Sequence, residues 1–177
     1  GNVYPEFKKH FQAAIDDSQN LESIDAFYGD IVRHLEYYTL AKFGTDHHNK
    51  YGRYADFFMK MRYLKIETYY PFSMNVLAYQ DNGFIAEDEV DECFELIEAY
   101  ISRRIVCGLA TTSVDKIFAS LHRDILEYKD QEPAAGYYEI MKYMLLSRGG
   151  NTRFPRDQEL EVAIATNETY HQLKSYV

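Results

Sequence analysis

Glu87-Asp88-Glu89-Val90-Asp91-Glu92-Cys93-Phe94-Glu95-Leu96-Ile97-Glu98-Ala99-Tyr100-Ile101-Ser102-Arg103-Arg104-Ile105-Val106-Cys107-Gly108 is the stretch that decides the fold. Val90, Phe94, Ile97, Ile101 and Ile105 recur three or four residues apart, which keeps them on one face of an α-helix. Glu87, Asp88, Glu89, Asp91 and Glu92 crowd its start, where the positive end of the helix dipole favours carboxylates, and Arg103 and Arg104 stand in its last turn as the complement. Gly108 is placed to take the left-handed conformation that ends a helix. Thr112 is then expected to cap the next helix, with Asp115 three residues on as a capping-box variant. That next helix would bury Val114, Ile117, Phe118, Leu121 and Ile125, with Tyr128 continuing the same face.

Outward from this pair the same period continues. Phe7, Phe11, Ala14 and Ile15 predict a first helix, and Ile24 to Leu40 a longer one ending near Gly44. A polar, His-rich loop follows from Gly44 to Gly52, then a helix marked by Tyr54, Phe57, Phe58, Met61 and Leu64. Pro71 opens another helix that stops at the Asp81-Asn82-Gly83 turn. Beyond a loop from Lys129 to Gly136, Tyr137 to Leu146 is helical, a short helix covers Gln158 to Ala165, and a last one runs from Thr169 to Tyr176. Strand signals are nearly absent. The expectation is an all-α chain, an irregular multi-helix bundle of eight or nine helices forming a single domain over residues 1–177.

Composition narrows the function classes. A chain of 177 residues can bury roughly 70% of its unfolded surface without disulfide or metal staples. The formal charge of −9 argues against unaided binding to DNA or an anionic membrane, though not against a local basic patch. No apolar run approaches the roughly 18 residues of a membrane span, and no signal-peptide pattern opens the chain. Cys93 and Cys107 lack metal or redox spacing and read as free buried thiols of a cytoplasmic protein. Gly1 reads as a remnant of tag removal on an excised segment. With 17 Tyr and no Trp, many rings should sit half-buried with the hydroxyl bonded or in water.

The chemistry-bearing groups have ordinary readings beside the sharper ones. On a helical wheel Arg104 falls near the edge of the apolar stripe and Arg103 nearly opposite. Arg104 is placed to reach a buried carboxylate or the carbonyls of the corner; Arg103 is placed for solvent, a partner domain or phosphate, unless both merely neutralise a helix end. Lys116, Arg123 and the stretch holding Lys50, Arg53, Lys60, Arg62 and Lys65 are the other candidate cations for DNA. His47-His48-Asn49 has the letters of an HNH nuclease but no strands to hold a metal and a general base, and reads as a solvated loop. Glu168-Thr169-Tyr170-His171 matches one Glu-x-x-His element of a di-iron bundle, which requires a second element and two further glutamates. Ser113 and Ser120 lie near Cys107 and His122 without a nucleophile-elbow glycine pattern. No phosphate-cradling glycine motif occurs, so no cofactor, no metal and no catalytic residue is expected. The pairs Tyr37-Tyr38, Tyr69-Tyr70 and Tyr137-Tyr138 suit core edges better than base stacking.

Arg103-Arg104, Cys107-Gly108-Leu109 and Lys116-Ile117-Phe118-Ala119 together resemble a signature in the helical region of GmrSD-like, modification-dependent restriction proteins. The resemblance covers residues 71–177. Its specific core is Glu98 to Leu121, flanked by Tyr70-Pro71-Phe72 and by Arg153-Phe154-Pro155-Arg156-Asp157-Gln158-Glu159-Leu160, which resembles an aromatic-Pro-x-Asp-x-Glu helix start. In that family a ParB/sulfiredoxin-like nucleotide-dependent domain comes first and an HNH nuclease domain often last. The Asp-Gly-Gln-Gln-Arg motif of the former is absent from this chain, and the nuclease His and Asn positions have no counterpart. The resemblance therefore implies a non-catalytic, prokaryotic, cytoplasmic linker whose partners are flanking domains of a larger defence protein, with DNA reached through that protein and no membrane. A DNA-contacting module using Arg103, Lys116 and Arg123 is the alternative.

Overall fold

A computed structural model describes residues 12, 21–44, 50–110 and 114–166. Among them are seven α-helices: α1 (Leu21–Phe43), α2 (Ala55–Tyr63), α3 (Tyr70–Asp81), α4 (Glu87–Val106), α5 (Asp115–Gln131), α6 (Tyr137–Leu146) and α7 (Asp157–Ala165). Single 3-10 turns at Gly52–Tyr54 and Gly150–Thr152 precede α2 and follow α6. No strand occurs among the described residues. The expected count of eight or nine helices is thus seven here; the helices expected around residues 7–15 and 169–176 lie outside the described residues.

The chain groups into two compact units, Gly1–Tyr37 and Tyr38–Val177. In the first, the described part of α1 exposes Tyr28, Ile31 and Val32. The second is organised around α4, against which α2, α3, α6 and α7 pack, while α5 lies on α3 and α6. Helix α4 can be central because its apolar residues exceed one stripe: Val90, Cys93, Phe94, Ile97, Tyr100, Ile101 and Ile105 are all buried. Phe94 anchors an aromatic cluster, stacked on Phe57 at 4.5 Å and edge-on to Phe58 and Tyr54 at 5.4 and 5.3 Å. Burying one such ring is worth about 1.5–3 kcal/mol, and each well-placed aromatic pair adds roughly 0.5–1.5 kcal/mol.

One end of α5 differs from its expected position. Helix α5 is preceded by Val114 in αR geometry, itself in a 3-10 turn, and carries Asp115 in its first turn. Asp115 favours the positive end of the dipole there; Thr112 lies outside the described residues. At its other end α5 runs through Lys129, Asp130 and Gln131, which were expected to be loop. What ends it is Pro133, whose ring forces the preceding Glu132 out of helical geometry (φ −127°, ψ 71°). The Lys129 ammonium folds back to the Ala135 carbonyl at 2.9 Å and closes the turn.

In each tyrosine pair the first ring is buried (Tyr37, Tyr69, Tyr137). The second is at least partly exposed, as about 100° of helix per residue requires.

Candidate functional site

The C-terminal end of α4 is where the residues singled out by the sequence converge. The Leu109 N–H donates to the Arg104 carbonyl at 2.8 Å and the Gly108 N–H to that of Ile105 at 3.0 Å, the paired bonds of a Schellman ending. Gly108 has φ +67°, the left-handed value this ending needs.

Arg104 sits inside that corner, with none of its surface exposed. Its Nη1 donates to the Arg153 carbonyl at 3.0 Å, and its Nη2 donates to the carbonyls of Asn151 and Ala110 at 2.8 and 2.6 Å. Its guanidinium also lies over the Tyr100 ring at 5.4 Å. One turn earlier, the Tyr100 hydroxyl donates to the Thr152 carbonyl at 2.6 Å. Tyr100 and Arg104, stacked at i and i+4, thus grip the 3-10 turn and its exit, and satisfy carbonyls that no helix uses. Burial pulls the Arg104 pKa down and the adjacent Tyr100 up, and a guanidinium stays charged regardless.

Arg103 points to the other side of the same end. Its Nη1 donates to the Asp157 carboxylate at 2.6 Å and to the Pro155 carbonyl at 3.2 Å, and its guanidinium approaches the Phe154 ring at 5.8 Å. Its side chain keeps 28% of its surface exposed. Asp157 is the first residue of α7, so this pair ties the end of one helix to the start of another. Arg153, whose carbonyl Arg104 holds, donates through Nε and Nη2 to Glu159 at 2.9 and 2.7 Å. Glu159 in turn accepts the Arg156 N–H at 3.3 Å. Hydrogen bonding from Arg153 holds the Glu159 carboxyl below its usual range.

The other candidate cations are dispersed. Lys116 and Arg123, seven residues apart, are exposed on one face of α5, with Arg123 beside Asp124 at 3.2 Å and Glu127 at 3.6 Å. Arg53 reaches Asp91 at 2.6 Å, Glu87 at 3.2 Å and Asp88. Lys60 reaches Asp56 at 3.0 Å and Glu98 at 3.3 Å. Lys50 lies 2.8 Å from Asp81, and Arg62 donates to the Phe43 carbonyl. Two cations of the stretch that reads as a basic face, Arg53 and Lys60, therefore meet acids of α4. Sequence reasoning treated the stretch and those acids as separate surfaces; the signal was Glu87, Asp88 and Asp91 at helical spacing, awaiting cations from another element.

The nucleophile candidates have local partners. Ser120 donates to the Asp124 carboxylate at 2.8 Å, with the Lys116 carbonyl 3.3 Å away. His122 Nδ1 lies 2.8 Å from the Tyr137 hydroxyl. Burial pushes the Cys93 thiol far up and the half-buried Cys107 up as well, away from the thiolate form. No group of three His, Cys, Asp or Glu side chains among the described residues is placed to hold a metal. His47-His48-Asn49, Ser113 and Glu168 to His171 lie outside the described residues.

Two open grooves flank the corner's elements. One of about 710 Å³ runs between α4 and α6, past Glu89, Glu92, Glu139, Tyr143 and Leu146. The other, about 630 Å³, lies between Cys107 and α7. No family model, curated protein or solved structure matches the chain.

Proposed function

We propose that this chain is a non-catalytic helical linker and interaction domain of a GmrSD-like prokaryotic restriction protein, positioning a nucleotide-dependent domain against a nuclease domain. One observation carries the reading. Two separate sequence elements that resemble that family, the Arg103-Arg104 corner and the Arg153 to Leu160 segment, are bonded to each other through Arg104 to the Arg153 carbonyl and Arg103 to Asp157. Residues with that duty hold the end of one helix against the start of another distant in sequence, which suits an element that transmits position. The Ser120 hydroxyl and the buried Cys93 thiol, held as described above, also fit a structural role. No helix among the described residues is long and apolar enough to cross a membrane.

The coding sequence on either side of this segment tests the proposal. An Asp-Gly-Gln-Gln-Arg motif upstream and an HNH nuclease downstream are the expected result; neighbours with neither would overturn it. The purified chain should cut no plasmid in the presence of divalent metal. Cutting that co-purifies with it and disappears on His47→Ala or His48→Ala would make it an enzyme instead.

A further inference from the structure

The acids of α4 face two ways, and on one side they meet cations of another helix or turn. Glu87, Asp88 and Asp91 meet Arg53, and Glu98 meets Lys60. On the side facing α6, Glu89 accepts the Tyr138 N–H at 2.9 Å at the start of that helix. Glu92 and Glu139, both exposed, make no ion pair or hydrogen bond among the described residues. They border the groove of about 710 Å³, whose apolar part is Tyr143 and Leu146, with 61% and 51% of their surfaces exposed. The one cation there, Lys142, lies over the Tyr138 ring at 5.5 Å.

We propose that the groove between α4 and α6 is a docking site for a basic amphipathic segment of a partner protein, its Lys or Arg residues meeting Glu92 and Glu139 and its apolar residues covering Tyr143 and Leu146. Charge complementarity selects this occupant. Three carboxylates against one ammonium repel phosphate, which excludes nucleic acid and anionic membrane from this face. A second copy of a chain carrying −9 would bring like charge to like. A basic segment gains at both levels: the rim steers and registers it, and the exposed ring and Leu146 supply the apolar contact that makes an interface hold. The inference rests on reading the chain as an interaction module and specifies the chemistry of what it engages.

The test is fluorescence anisotropy with a labelled Lys/Leu amphipathic peptide of roughly 14 residues, alongside a Glu/Leu peptide of the same pattern, at about 0.15 M salt. The chain should bind the Lys/Leu peptide and not the Glu/Leu one. Glu92→Gln with Glu139→Gln should weaken binding about tenfold, the equivalent of about 1.4 kcal/mol shared between two rim charge pairs. Leu146→Ser should weaken it independently. The same two-charge change placed elsewhere, Glu132→Gln with Glu161→Gln, should leave it within about twofold. Equal loss in both double variants would mean general attraction to an acidic chain and would overturn the proposal. So would absence of binding, or concentration-dependent dimerisation that Leu146→Ser abolishes without any peptide binding. Melting curves of each variant establish that the fold is kept, since all the substituted side chains are exposed. Neighbouring genes that encode no nuclease would overturn the restriction-protein reading and leave this outcome untouched.

Discussion

Taking a guanidinium out of water costs several kcal/mol unless its N–H groups find acceptors, and at Arg104 three carbonyl oxygens and the Tyr100 face supply the compensation. Removing the side chain deletes three part-buried hydrogen bonds from a charged donor, each worth roughly 1.5–3 kcal/mol. Arg104→Ala should therefore destabilise by about 3 kcal/mol or more, a fall in Tm of the order of 6–12 °C for a chain this size. Arg103→Ala removes an ion pair to Asp157, which is 82% exposed, and should cost no more than about 1 kcal/mol. Thermal melts of the two variants side by side decide the matter, and a greater loss at Arg103 would reverse the roles assigned to the pair. Arg104→Lys should not rescue, because one ammonium cannot reproduce the fork that serves three carbonyls from two nitrogens.

Among the elements, the endings of α3 and α4 share one device. The Phe84 N–H donates to the Tyr79 carbonyl and Gly83 takes φ +76°, as Leu109, Arg104 and Gly108 do at the end of α4. A Cβ at Gly83 would meet nothing within 4 Å, so Gly83→Ala isolates the conformational cost of the left-handed residue, about 1 kcal/mol. Chemical denaturation should show that loss, and Gly83→Asn should recover part of it, since Asn tolerates the conformation better. These endings were legible in the sequence because glycine after an apolar helical period has few other uses there. The length of α4 and the inward face of Arg104 were legible from the 3.6-residue period. What the period cannot give is the partner: that Arg104 would find carbonyls of residues 151 and 153, or that Arg53 would answer Glu87, Asp88 and Asp91, depends on which distant segments meet. The contact between α5 and α6 is of the same kind. His122 faces Tyr79 edge-on at 5.4 Å and the Tyr137 hydroxyl at 2.8 Å, and burial lowers its pKa. The native state thus favours the neutral ring. Its contribution is complete above the unfolded value of about 6.5 and declines as pH falls below it towards the lower native value. Urea unfolding at pH 7.5 and 5.5, both about one unit from that midpoint, should show stability falling with acid, and His122→Gln should flatten the decline. An unchanged decline would place its origin in other groups.

At the scale of the whole molecule, charge and its arrangement bear on the remaining alternative, a module that touches DNA. The chain carries 19 Lys and Arg against 28 Asp and Glu, so duplex binding would need a local concentration of cations free to face phosphate. Within the second unit the candidate cations are instead drawn to acids: Arg53 to three, Lys60 to two, Arg123 to two and Arg103 to Asp157. A phosphate would have to displace those carboxylates and approach their negative charge, which removes much of the gain from releasing condensed counterions. Lys116 and Arg123 on α5 are the face best placed to try, because they are exposed and one heptad apart. A 20-bp duplex, roughly two helical turns, should therefore show no shift with the isolated chain at about 0.15 M salt, and at most weak retention at about 0.02 M. A shift at the higher salt that steepens as salt falls, and that Lys116→Ala with Arg123→Ala abolishes, would instead make α5 a phosphate-contacting helix. The logarithmic salt slope then reads the number of phosphates engaged, at about 0.9 per contact, and two cations on one helix face predict a slope near −2.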